Sequence, residues 1–200
     1  MVRRSLLIVI LWLCSPWVWA NQTSILILGD SLSASYGMDE ADGWVRKLQQ
    51  NLPDIQLINA SVSGETSDGG LRRLPGLLAQ HQPDWVFIEL GGNDGLRGFQ
   101  PALTQQNLAQ LIELSQAAGA GVLLSEVMVP PNYGRRYAEL FQGIYPSLAE
   151  AHDVALVPFF MTEIATDPSL MQRDGIHPNR AAQEKIAAFL KPWFEQAVAE

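Results

Sequence analysis

Cysteine is almost missing from this chain. The single one, Cys14, lies in an apolar stretch near the start, so a disulfide framework and a cysteine-based metal site are excluded. Histidine is nearly as scarce, with three in 200 residues, which leaves few candidates for proton transfer near neutrality. Positive charge is short as well, with 13 Lys and Arg against 21 Asp and Glu for a formal charge of −8. Nucleic-acid binding depends on clustered cations that neutralise phosphates, and this balance argues against it. No glycine-rich phosphate loop occurs, and no set of three or four His, Asp or Glu has ligand spacing. Neither a cofactor nor a metal is implied.

What is present is enough apolar material for a core. At 48% hydrophobic and 17% charged, the chain is neither disordered nor collagen-like. Its length suits one domain at a prior of about 150 residues per domain. The first twenty residues stand apart. A basic start, Met1-Val2-Arg3-Arg4, is followed by the apolar run Leu6–Leu13 and by Val18-Trp19-Ala20, with small residues at the −3 and −1 positions. That is the layout of a secretory signal peptide, and the run is well short of the roughly 20 residues a membrane span needs. Bulky Trp12 and Leu13 before Cys14 speak against a lipoprotein site. The expectation is a signal peptide over 1–20, cleaved after Ala20, and a single domain over 21–200. Loss of Arg3 and Arg4 takes the formal charge from −8 to −10. The product is expected to be exported, periplasmic or secreted, and monomeric. It should lack stable membrane insertion and any general attraction to anionic lipid surfaces.

Short apolar runs alternate with helical stretches. Ser24–Leu28, Ile55–Ala60, Trp85–Leu90, Val122–Val127 and Val154–Val157 read as strands. Gly43–Leu52, Ser67–Gln80, a stretch opened by Pro101, Arg135–His152 and Asn179–Ala197 read as helices. Pro75 and Pro146 are expected to kink theirs, and the last helix to bury Ile186, Phe189, Leu190 and Trp193. Near-continuous apolar strands alternating with helices predict an α/β fold: a three-layer α/β/α sandwich with a doubly wound, five-stranded parallel sheet. Ligands of such sheets bind outside the carboxyl ends of the strands.

Four polar clusters fall there. Gly29-Asp30-Ser31-Leu32-Ser33 follows the first strand and Ser63-Gly64-Glu65-Thr66 the second. Gly91-Gly92-Asn93-Asp94 follows the third, and Asp174-Gly175-Ile176-His177-Pro178 precedes the last helix. Ser31 sits where a strand is expected to turn into a helix, so it reads as an exposed nucleophile or as an ordinary N-cap. His177 supplies the adjacent base a serine needs, and Asp174 can reach it through a tight turn to orient the ring. His81 and His152 read as helix-end residues. Gly64 N–H and the Asn93 amide offer donors for an oxyanion, or serve as turn residues.

Each cluster alone is ambiguous, but the ordered set resembles the four blocks of the SGNH (GDSL) hydrolase superfamily. The resemblance spans essentially the whole chain after the leader. It implies Ser31 as nucleophile, His177 as base and Asp174 as its partner, with Ser31 N–H, Gly64 N–H and Asn93 as the oxyanion hole. Gly-x-Ser-x-Gly is absent around Ser31, against an α/β-hydrolase elbow. The implied substrates are small molecules: acyl esters and thioesters, or lysophospholipids. Leu96, Gly98, Phe99 and Tyr133 are candidates to line an acyl groove, with Gly95 and Gly98 as hinges. Arg135 and Arg136 read as solvated or as headgroup contacts. Glu89 and Glu126, in apolar strands, receive no role. A carbohydrate O-acetylesterase of the same superfamily and a non-catalytic fatty-acid-binding protein remain alternatives.

Overall fold

Each strand is a short, mostly apolar stretch stopped by glycine, proline or a polar turn. The structure, a computed structural model, describes residues 22–199; the expected signal peptide and Cys14 lie outside them. β1 (Thr23–Gly29), β2 (Ile55–Asn59), β3 (Trp85–Glu89), β4 (Gly121–Ser125) and β5 (Ala155–Val157) form one parallel sheet in the order β2-β1-β3-β4-β5. The helices are α1 (Trp44–Asn51), α2 (Ser67–His81), α3 (Gly92–Leu96), α4 (Pro101–Ala117), α5 (Arg135–Gln142), α6 (Ile144–His152) and α7 (Gln183–Ala199).

Side chains alternate across a strand, and β1 shows what that does here. Ile25 and Ile27 face a core built with Trp44 and Leu48 of α1 and Ile186, Leu190 and Phe194 of α7. Leu26 and Leu28 face the opposite core, with Leu74 of α2, Leu108 and Ile112 of α4, and Tyr145 of α6. All four β1 side chains are fully buried, each worth about 1.5–3 kcal/mol of burial. The sheet therefore has a helical layer on both faces, as expected. β1 is the topological switch point: the chain leaves it toward β2 on one side and returns through β3 on the other. The crevice between the carboxyl ends of β1 and β3 is where such sheets bind ligands.

Several local expectations change. No helix starts at Ser31; residues 31–37 are a run of turns, and α1 begins only at Trp44. Left-handed backbone at Ser35 and Gly37 stops a right-handed helix from propagating there. The stretch 135–152 is two helices broken at Gly143 rather than kinked at Pro146. Pro146 sits in the first turn of α6, where a missing N–H costs no helical hydrogen bond. In α7 the buried stripe is Ile186, Ala187, Leu190, Phe194 and Ala197. Phe189 lies on the flank of that stripe and is 39% exposed. α7 itself begins at Gln183, after a 3-10 turn at Arg180–Ala182.

Candidate active site

The carboxyl ends of β1 and β3 and the loop before α7 converge on one short chain of polar contacts. Ser31 Oγ lies 2.8 Å from His177 Nε2, and His177 Nδ1 lies 2.7 Å from Asp174 Oδ2. The acid and the ring are set by local backbone. Asp174 Oδ1 accepts from the N–H of Ile176 and of His177, closing a tight turn around the carboxylate. Partial desolvation pushes this carboxyl up, but those two N–H groups and the imidazole outweigh it and lower the carboxyl from 3.8 to about 2. Asp174 is therefore ionised at neutral pH. The neck of the loop is closed by an antiparallel bridge between Met171 and Pro178, with Gln172 N–H donating to His177 O at 2.8 Å.

The candidate oxyanion donors come from three different strand ends. Neither Ser31 N–H nor Gly64 N–H donates to another protein group among the described residues. Gly64 has φ +80, a left-handed conformation that favours glycine. Its carbonyl, in the peptide plane that follows, accepts from Arg97 Nη2 at 2.9 Å. Asn93 sits in the five-residue helix α3, an element the sequence did not announce. One of its amide protons is committed: Nδ2 donates to Asp30 Oδ2 at 2.9 Å. That bond fixes which end of the amide faces the crevice.

Two buried carboxyls beneath the crevice had no role in the sequence reading. Asp30 is buried and also accepts from Leu32 N–H at 3.0 Å. Desolvation raises its carboxyl from 3.8 to about 6, against the pull of Leu32 N–H, the His177 charge and Asn93. Glu89, the last residue of β3, is fully buried. Its Oε2 accepts from Ser33 Oγ at 2.8 Å and from Asp30 N–H at 3.2 Å. Its Oε1 has no partner among the described residues. Burial, and then the Asp30 charge, push this carboxyl well above its ordinary value. The only sequence signal for Glu89 was a charge at the end of an apolar strand. Beside them, Asp94 accepts from Ser67 N–H at 2.8 Å and from the Ser67 hydroxyl, tying α3 to the start of α2.

The expected groove residues form two groups. Tyr133 Oη donates to Leu96 O at 3.0 Å, and Tyr137 Oη donates to Phe99 O at 2.7 Å. Gly98 and Phe99 line a depression of about 580 Å³ with Gln100, Ala102, Leu103 and Gln106. Neither Ser31 nor His177 lines it, and a second depression of about 380 Å³ lies around Trp85, Gly121 and Asp153, at the opposite end of the sheet. Gly95 is no free hinge: a Cβ there would stand 2.1 Å from Val129 Cγ1. Arg135 is almost fully exposed and faces Glu139 at 3.5 Å. Among the described residues no three His, Cys, Asp or Glu side chains come together as metal ligands would, and no helix is long and apolar enough to cross a membrane.

A parallel sheet with a Ser-His-Asp contact chain at its switch point defines a hydrolase of the GDSL type, and residues 27–185 match the GDSL-like Lipase/Acylhydrolase family. The chain belongs to that family. Among its relatives is the Thioesterase 1/protease 1/lysophospholipase L1 of Escherichia coli K12, 54% identical over 172 residues, which are 86% of this chain and 83% of that protein. The Arylesterase of Vibrio mimicus is 46% identical over 92% of this chain and 94% of its own length. The fold matches the crystal structure of the psychrotrophic esterase EstA from Pseudoalteromonas sp., inhibited by monoethylphosphonate, with a TM-score of 0.87. That match is at 47% identity and covers 89% of this chain and all of the other.

Proposed function

We propose that this protein hydrolyses acyl thioesters and carboxylic esters, lysophospholipids and aryl esters among them, by two-step acyl transfer through Ser31. The observation that carries the reading is the pair of contacts at 2.8 and 2.7 Å that link Ser31, His177 and Asp174. Ser31 Oγ attacks the carbonyl carbon while His177 Nε2 takes its proton. Asp174 holds the Nδ1–H tautomer and stabilises the imidazolium. The tetrahedral oxyanion is received by Ser31 N–H, Gly64 N–H and the free amide proton of Asn93, with preorganised donors worth roughly 3 kcal/mol each. The imidazolium then protonates the departing alcohol or thiol, and water activated by His177 releases the acid. The breadth of substrates follows the names of the relatives. For the acyl chain, Leu96, Gly98, Phe99 and Tyr133 are the groups to vary first.

Export fits the same reading. The basic start, the short apolar run and Val18-Trp19-Ala20 support a leader removed before the enzyme works outside the cytoplasm as a monomer. The deciding experiment is Ser31→Ala. Turnover of acyl-CoA, lysophospholipid and p-nitrophenyl esters should vanish, together with labelling by a fluorophosphonate. A variant that keeps near-normal rates removes Ser31 from the mechanism. A protein that hydrolyses only acetate esters would instead be the carbohydrate-type esterase.

A further inference from the structure

We propose that Tyr36 is a positioning residue for the reaction: its ring face braces the His177 imidazole and stabilises the imidazolium formed in each acyl-transfer step. The proposal rests on the Ser31–His177–Asp174 reading above and adds a group to it. The two ring centroids are 4.1 Å apart with the planes inclined by 31°. That is a close, tilted arrangement, well inside the roughly 6 Å over which a cation is drawn to the face of an aromatic ring.

The backbone holds Tyr36 there at a cost. A tyrosine that is 46% exposed gains little from burial, yet it stands between two left-handed residues, Ser35 with φ +57 and Gly37 with φ +74. A non-glycine residue in that region is strained, and such strain collects at functional sites. The Ser35 conformation is enforced from behind, since this residue is buried with its side chain close against Gly43.

A second element locks the brace to the base. Gln172 Nε2 donates to Tyr36 O at 2.8 Å and to Pro178 O at 3.1 Å, while Gln172 N–H donates to His177 O at 2.8 Å. One side chain thus spans the loop that carries the ring and the loop that carries the imidazole. Gly37 leaves room for it, because a Cβ there would stand 2.5 Å from Gln172 Oε1. Packing alone needs none of this. The arrangement fixes a π face against the one side chain whose charge changes during turnover. Asp174 at Nδ1 and the nearby Asp30 carboxylate supply the remaining negative potential around that ring.

The test is a short series at position 36 in the full chain, assayed with p-nitrophenyl butyrate alongside thermal melts. Tyr36→Phe keeps the ring face and should retain kcat within twofold. Tyr36→Leu keeps bulk without a quadrupole and should lose about two- to fivefold in kcat, with KM unchanged. Should the leucine variant melt early, Tyr36→Ala gives the same comparison with nothing left to misplace. A non-aromatic variant with wild-type kcat, a phenylalanine variant as slow as the leucine one, or an effect on KM alone would overturn the proposal. Fluorophosphonate labelling of Ser31 in the unaltered protein separates the two levels. Absent labelling removes the triad reading itself, whereas normal labelling with a flat series at position 36 removes only the brace.

Discussion

Asp30→Asn should shift the balance between stability and activity in a way that depends on pH. In the folded protein the Asp30 carboxyl holds its proton up to about pH 6, against an ordinary value of 3.8. Between those values the unfolded chain binds fewer protons than the folded one, so stability falls as pH rises. The cost is nearly absent below about pH 3 and complete above about pH 7. Linkage over that interval gives about 3 kcal/mol at pH 8 and a small fraction of that at pH 4. Asparagine removes the charge, but it has one acceptor where aspartate used two, for Leu32 N–H and for Asn93 Nδ2. Leaving one buried donor unmet costs about 1–3 kcal/mol at every pH. The variant should therefore be clearly weaker than the parent at pH 4 and regain about 2 kcal/mol relative to it by pH 8. Urea unfolding at the two pH values reads this directly. In parallel kcat should fall tenfold or more, because the Asn93 amide loses the carboxylate that orients it. A stability difference that stays flat with pH, or moves against the variant as pH rises, would refute the assignment of a buried, proton-holding Asp30.

Three further substitutions probe other parts of the site. Asn93→Ala should lower kcat by roughly 10²–10³ with KM nearly unchanged; a change confined to KM would place Asn93 outside the oxyanion hole. Asp174→Asn offers an amide donor to His177 Nδ1 and favours the tautomer that cannot accept the Ser31 proton. Steady-state kinetics should show a drop of about 10⁴-fold with the fold intact by circular dichroism. Gly95→Ala would push a methyl into Val129 and Phe141 and should cost about 1–3 kcal/mol in denaturant unfolding. Val129→Ala in the same chain should return part of that loss, and no recovery would mean the clash is not with Val129.

The parallel sheet was legible because β1, β3 and β4 carry near-continuous apolar runs, as strands buried on both faces do. The helix break at Gly143 was not, since proline is the louder signal and Pro146 happens to occupy a first turn. The candidate triad could be found because histidine is rare here and Asp174 lies three residues from His177. Asp30, Glu89 and Tyr36 stayed silent for a physical reason. Their contacts reach residues 56 to 141 positions away, and nothing in local spacing marks a carboxylate as buried or a tyrosine as set against a histidine.

The acid and the base of the candidate triad sit on one loop, sealed at its neck by the Met171–Pro178 bridge. Their mutual geometry is therefore set within the loop, while Ser31, Gly64 and Asn93, the candidate nucleophile and oxyanion donors, each follow a strand of the sheet. Among the described residues the two halves meet across the Ser31–His177 contact, the Tyr36–His177 ring pair and the Gln172 link to Tyr36. The segment between β5 and Met171 buries Phe160, Met161, Ile164 and Leu170 in the core shared with α1 and α7, so it delivers the cassette as a packed arm. Insertions or deletions there would unseat those side chains and shift the cassette against the surface that receives it.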